Sequence, residues 1–381
     1  MNDVVIVGAG PAGSSLALLL ARQGITVSML ERQAFPRNKV CGEYLSSAAL
    51  HALRDLDLQH CVDDAYPIRG IALAAYGGAP LRLRLIGDGA CALPRATLDE
   101  RLLRAALQAG ARLCRGGYMD NARENGGVHV SYRDAHGAAQ SLHAKVLVGA
   151  DGAWSTVARR NGLAPRGKPR GRWAVGGHMT QQPRSDELEM FIGPGGYLAR
   201  NPLSADSVNA MLVMPTPTSP QQTQRVAAAV SGGLRTFDES ALERRVAVGP
   251  LRYSARAIAG HRILLTGDAA GLLDPFTGQG VACALRLAFP ASRAVRSLLA
   301  NRAASVVARE YTREWRSIVA PRRALSLLLD AVIRTPWLRA RADRAVRRDH
   351  SIAEQILAAV SGAAPPASAF SPRLLWSLLA S

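Results

Sequence analysis

Gly8, Gly10 and Gly13 punctuate VVIVGAGPAG (residues 4–13), where four apolar strand formers run into the helix-forming stretch SSLALLLARQG. That spacing can grip a diphosphate. Gly8 permits a tight turn, Gly10 lets the backbone approach the anion, and Gly13 lets the helix pack close on the strand, with Pro11 and Ala12 opening a helix whose N-terminus faces the ligand. Glu31 ends a second expected strand, ITVSMLE, 18 residues beyond Gly13. A carboxylate there can accept hydrogen bonds from a ribose diol. These residues alone fit NAD and FAD alike.

Two later strand ends separate the alternatives. VLVGADGAWSTVARR carries Asp151 in a turn, with Ser155 and Arg159 downstream in a helix, and Asp151 is suited to organising that turn. LLTGDAAGLLDPFTGQG places Gly267 and Asp268 at the end of a buried strand. An aspartate there suits a sugar-alcohol hydroxyl, so Asp268 points to a ribityl chain, and the dinucleotide with a ribityl linker is FAD. No second G-x-G-x-x-G stands between a strand and a helix. NAD(P)H, as the donor expected to reduce the flavin, therefore docks transiently.

The elements that must position these residues change character along the chain. With 381 residues and 48% hydrophobic content the chain can bury a large core. We expect an α/β protein in which a Rossmann-like FAD-binding domain (residues 1–65, 94–170 and 255–320) is interleaved with a mixed, largely antiparallel substrate sheet (66–93 and 171–254). Residues 321–381 read as arginine-dense helices ending in an apolar patch, LLWSLL. A helix beginning near Ser46 has that hydroxyl as its expected cap, and Pro290 should end or kink the helix GVACALRLAF.

Composition removes whole classes of function. The net charge of +18 is nearly all arginine, since the lysines are Lys39, Lys145 and Lys168 alone. With 5% aromatic residues and no recognisable module, nucleic-acid binding is excluded, whereas contact with an anionic membrane surface stays open. Cys41, Cys61, Cys91, Cys114 and Cys283 are odd in number and form no C-x-x-C pair, which argues against a disulfide framework or a zinc site. No metal site is expected. A strand directly after Met1 and short apolar runs point to a cytoplasmic protein, with peripheral membrane contact through the basic C-terminal helices as the exception.

The three junctions in this order resemble the flavoprotein group that contains p-hydroxybenzoate hydroxylase-type monooxygenases, flavin-dependent halogenases and geranylgeranyl reductases. The resemblance implies that the first glycines hold the FAD pyrophosphate, Glu31 with neighbouring Arg32 the adenosine ribose, and Asp268 the ribityl chain. Arg95 in LPRATLDERLLRAA matches the group's R-x-x-x-D helix start, where the arginine approaches the FAD phosphates or ribityl. Gly278, Gln279 and Gly280 correspond to the helix start that points at the flavin pyrimidine and stabilises charge on reduced flavin; a plain helix cap is the alternative.

Within the group the closest motifs are those of the geranylgeranyl reductase branch: GDAAGLLDPFTGQG, Arg37 to Glu43, and Gly193 to Tyr197. The halogenase W-x-W-x-I-P is absent, and Gly271 stands where aromatic hydroxylases usually have His. Two departures stand out. Gln279 replaces the branch's usual acid, and its Y-x-W-x-F-P pattern survives only as Tyr197 and Pro202, with Ala199 and Asn201 in place of the aromatics. Cys41 and Glu43 lie in the loop expected to face the isoalloxazine, where a thiol or carboxylate could relay a proton. Buried packing for Cys41 and a loop cap for Glu43 are the alternatives. Tyr197 could donate to substrate or simply pack in the sheet. His178 and His261 show no partner pattern and receive no role. The leading expectation is NAD(P)H-linked hydride delivery from reduced FAD to a hydrophobic unsaturated substrate, isoprenoid- or polyketide-like. Hydroxylation through oxygen activation is the alternative, and a flavin-free lipid carrier is a third.

Overall fold

The computed structural model describes residues 2–372 except 125, 168–170, 181–184, 217–218, 234–236 and 238; Lys168 and the LLWSLL patch lie outside the described residues. Strand Asn2–Val7 has Val4 to Val7 buried, as a central parallel strand covered on both faces requires. It pairs in parallel with Val27–Glu31 on one side and the second half of Ala139–Gly149 on the other. Beyond these lie the start of Arg112–Glu124 and strand Ile263–Leu265. Chain order thus reverses beside Asn2–Val7, and the carboxyl ends of strands at such a reversal leave a crevice for a ligand. The glycine turn sits there.

Helix Pro11–Ala21 follows, with Gly10 as its N-cap and proline in the first turn, where the missing N–H costs nothing. Leu16, Leu18 and Leu20 fix it in the main core. Truncating any one of them to alanine would cost about 2–5 kcal/mol. Strands Arg112–Glu124 and Ala139–Gly149 are long because their outer halves leave the parallel sheet. There they pair antiparallel with Gly127–Asp134 as a meander.

Ser46 is the N-cap of Ser47–Asp55 by position only. Its hydroxyl takes no bond from the helix and is buried without a partner, so packing closes this helix start instead of the expected side-chain cap. Pro290 acts as a kink: Gly280–Arg286 gives way at Leu287 to Ala288–Leu299. The proline ring crowds the carbonyl four residues back, that of Arg286.

A second sheet runs in the order Val246–Val248, Trp173–Thr180, Ser207–Met214, Gly196–Pro202, Glu187–Gly193, Gly70–Ala75, Leu81–Arg84. Its pairings are antiparallel except that of Glu187–Gly193 with Gly70–Ala75. Alternation gives it two faces. Phe191, Leu198 and Leu212 meet Ala227 and Val230 of helix Pro220–Ser231 on the outer face. Met190, Ile192, Tyr197, Met211 and Val213 form an inner apolar cluster with Tyr44 and Leu357.

Helix Ala304–Arg334 runs through Pro321, so the C-terminal helices begin before that residue; Pro336–Arg348 and His350–Ser361 complete them. No described helix is long and apolar enough to cross a membrane.

Candidate cofactor and substrate site

Each glycine of the first turn has its own steric reason. Gly8 adopts φ +101°, and a Cβ there would strike the Ala150 carbonyl of the adjacent strand end. A Cβ at Gly13 would collide with the Gly8 carbonyl, and one at Gly10 would stand 3.2 Å from the Arg37 guanidinium. Gly267, at φ +57°, brings its turn so close that an added Cβ would lie 2.7 Å from that of Ala12. The first and third motifs therefore meet. Glu31 reaches back over the turn, accepting from the Ala9 N–H at 3.1 Å and from Gln33 at 2.9 Å. Asp151 accepts from the Ser155 hydroxyl at 2.5 Å and the Thr156 N–H at 2.6 Å, which is the turn-organising role expected of it.

A chain of charges lines the same crevice. Arg95 grips the fully buried Asp99 through two bonds, 2.7 and 2.9 Å, and Arg37 lies 3.3 Å from Asp99 and 3.9 Å from Glu31. Burial opposes the charge of Arg95, but Asp99 and the Cys41 sulfur outweigh it and raise its pKa. Asp268 is pushed above the usual carboxylate range by burial, against the pull of Lys39 and Arg95. Lys39 is lowered by burial, with Asp268 opposing. Arg32 is exposed at the rim, one residue beyond Glu31.

This donor set fits FAD. The cradle has no room for a Cβ at Gly8 or Gly13, and Arg37, Lys39 and Arg95 supply cations for a diphosphate. The Arg37 Nε is buried without a partner. Glu31 and Asp268 offer acceptors to ribose and ribityl hydroxyls. Lys39 was not singled out from the sequence as a site residue, although a lysine in so arginine-rich a chain is a visible signal.

The third motif ends against the C-terminal helices and the inner apolar face of the second sheet, which forms a roof with Tyr44. Gly278 has φ +64°, and a Cβ there would lie 2.7 Å from the Tyr44 ring. Gln279 is buried, its amide N–H donating to the Val360 carbonyl and its oxygen accepting from Arg322 at 3.4 Å. That side chain is occupied, which leaves the Gln279 backbone and Gly280, first residue of helix Gly280–Arg286, for the expected cofactor role.

Of the three candidates for chemistry, Glu43 is the most constrained. It is buried, has φ +56°, and accepts from the Arg95 N–H at 2.8 Å, the Asn209 amide at 3.1 Å and His178 Nε2 at 2.6 Å. His178 thus has a partner that the sequence shows no pattern for, because the two residues are 135 positions apart. Cys41 is half-buried, its sulfur accepting the Glu43 N–H at 3.3 Å and its carbonyl the Asn209 amide at 2.7 Å. Asn201 donates to the Gly42 carbonyl at 3.0 Å. Tyr197 stands apart, its hydroxyl buried without a partner and its ring edge-on to Phe276 at 5.2 Å. Burial holds its pKa well above the ordinary phenol value.

The sequence model of a family described as FAD binding domain matches residues 1–322. Menaquinone reductase of Mycobacterium tuberculosis is 28% identical over 366 residues, covering 86% of this chain and 84% of that protein. Digeranylgeranylglycerophospholipid reductase of Methanothrix thermoacetophila is 28% identical over 337 residues, 83% of each. Conditioned medium factor receptor 1 of Dictyostelium discoideum is 28% identical over 74% of this chain, but the match spans only 61% of that protein. Among solved structures, a flavoprotein/dehydrogenase from Cytophaga hutchinsonii superposes with TM-score 0.80 at 19% identity, covering 95% of this chain and 92% of that one. A geranylgeranyl bacteriochlorophyll reductase-like protein from Thermoplasma acidophilum gives TM-score 0.76 at 21% identity over 100% and 96%. The match over residues 1–322, on a cradle whose donors suit the cofactor, identifies the chain as a member of the FAD binding domain family and an FAD-dependent oxidoreductase.

Proposed function

We propose that this enzyme is a reductase that adds hydrogen across a double bond of a hydrophobic, isoprenoid- or polyketide-like substrate, with NAD(P)H as a transiently docked donor. The observation that carries this reading is the inner roof cluster of Tyr44, Met190, Ile192, Tyr197, Met211 and Leu357, an apolar wall beside the Gly278 turn. Such a wall suits an apolar ligand, and the names of the menaquinone and digeranylgeranylglycerophospholipid reductases support the reaction class.

FAD, when bound, supplies the two-electron couple. The protein does the rest. Gly8, Gly10 and Gly13 with Arg37, Lys39 and Arg95 take the diphosphate, and Glu31 and Asp268 orient the sugars. Glu43 and Cys41 are the proton-exchanging groups beside this cluster, and reduction of a carbon–carbon double bond needs a proton at one carbon as well as hydride at the other. Tyr197 holds an unpartnered hydroxyl within the apolar wall, a donor for a polar group of the substrate. The basic C-terminal helices, with Leu327 65% and Trp337 58% exposed, would bring the protein to an anionic membrane holding such substrates.

Anaerobic mixing of the yellow protein with NADH or NADPH should bleach the flavin, and an unsaturated lipid without a quinone ring, such as a geranylgeranyl lipid, should restore the colour. Restoration only by oxygen, with labelled oxygen entering a product, would overturn the reductase reading in favour of hydroxylation. Sedimentation with anionic liposomes at low and high salt checks the membrane contact; no pelleting at either salt would reject it.

A further inference from the structure

His178 belongs to none of the cofactor motifs, yet it ends a polar row that crosses the roof. Strand pairing sets His178 opposite Asn209 and Asn209 opposite Asn201, so one side chain from each of three adjacent strands meets the loop 41–43. Asn201 and Asn209 hold the loop's backbone carbonyls. His178 bonds the carboxylate itself.

Exposure divides the pair. The Glu43 side chain is 6% exposed and that of His178 30%. The carboxylate's other bonds come from the Arg95 backbone and the Asn209 amide, neither of which can pass a proton at neutral pH. Imidazole can, taking a proton at one nitrogen and giving it from the other. Glu43 also holds a left-handed backbone conformation rare for a residue with a side chain, which its surroundings must maintain. The charged groups facing His178 are acidic: Glu43 from the loop, and Glu243, whose N–H bonds the His178 carbonyl at 3.0 Å while Thr180 bonds its carboxylate. The Glu43 bond, ahead of the opposing effect of burial, raises the His178 pKa.

We propose that His178 is the positioning residue of Glu43 and its proton-exchange route to solvent. Its part in turnover rests on the reductase reading. FAD, when bound and reduced by a pyridine nucleotide, would supply the hydride to one alkene carbon, and Glu43 would give the proton that forms the second C–H bond. His178 then passes a proton from Nε2 to Glu43 and recovers one from solvent at Nδ1.

The FAD-loaded protein permits a test in two arms. In the first, ¹⁵N NMR of labelled histidines should find His178, assigned by its loss in His178→Gln, titrating above about 6.5. In Glu43→Gln it should titrate lower; identical titration in both proteins would overturn the pairing, with or without catalysis. In the second, photoreduced enzyme is reoxidised anaerobically by a geranylgeranyl lipid, which has no quinone ring to take the electrons, across a pH series. His178→Gln with normal flavin absorbance should react on the order of ten- to a hundredfold slower, and added imidazole should restore the rate. An unchanged pH profile in His178→Gln would overturn the proton route. Failure of the geranylgeranyl lipid to reoxidise even the wild-type flavin would count against the reductase reading, while the NMR arm still decides the His178–Glu43 coupling.

Discussion

The inner face of the roof has two ends built on opposite physical principles. Along Gly196–Pro202, Tyr197, Ala199 and Asn201 point the same way. At the Asn201 end, His178, Asn209 and Asn201 direct hydrogen bonds onto the loop 41–43. At the Tyr197 end the contacts are nearly directionless: Phe276 edge-on at 5.2 Å and the Arg172 guanidinium 5.5 Å over the ring. Arg172 spends its own bonds on Asp274 at 2.5 Å and Asp330 at 3.7 Å, tying the third motif's loop to helix Ala304–Arg334. One end fixes a backbone, and the other packs apolar side chains together. Directional ends should therefore be intolerant of small chemical changes that the apolar end absorbs.

The largest expected break in this contrast is Glu43→Ala. It strands the Arg95 N–H, the Asn209 amide and His178 together, and removing one partner of a buried charged pair costs about 3–5 kcal/mol. Urea unfolding should show a lower midpoint at unchanged slope. Asn209→Ala should follow at about 1–3 kcal/mol, because the Cys41 carbonyl and Glu43 each lose a donor. A loss as small as that of an apolar truncation on the exposed surface would mean that the loop is held by packing, and the contrast would fail.

The same end should make stability depend on pH. The folded pKa of His178 lies above its unfolded value, chiefly through the Glu43 bond. Its stabilisation is therefore complete below the unfolded value and is lost as pH rises through the higher folded one. The wild-type unfolding midpoint should fall across that window relative to His178→Gln measured alongside. Parallel curves would show that the bond to Glu43 does not depend on the imidazolium.

What could be seen from sequence follows the same division between local and distant contacts. The glycine turn is legible because its spacing and its strand-and-helix context fall within one short stretch, although Gly8 and Gly10 answer sterically to the distant Ala150 and Arg37. Asp268 could be placed because it ends a strand that the sheet brings alongside. Glu43 itself could be named, but not its function as a hub, since its partners His178 and Asn209 lie 135 and 166 residues away on other strands. Asn201 looked like the loss of an aromatic lipid-site residue. In the fold it is a buried donor to Gly42, so the departure changes what that position does without emptying it. Gln279 could not be read as a tie to the C-terminal helices, because Val360 is 81 residues further on.

Tyr197→Phe gives the smallest expected stability change and the sharpest reading of the apolar end. Its hydroxyl is buried with no partner, so removing it sacrifices no bond and relieves an unsatisfied polar group; the unfolding midpoint should stay within about 0.5 kcal/mol of wild type or rise. The aromatic ring, its edge contact with Phe276 and the Arg172 stacking all survive. If the hydroxyl bonds substrate in the ground state and transition state alike, KM for an unsaturated lipid should rise while kcat holds. If both stay at wild-type values, Tyr197 is part of the wall alone. A destabilisation of 1 kcal/mol or more, about the net worth of a hydrogen bond, would reveal a partner for that hydroxyl and make this end as directional as the other.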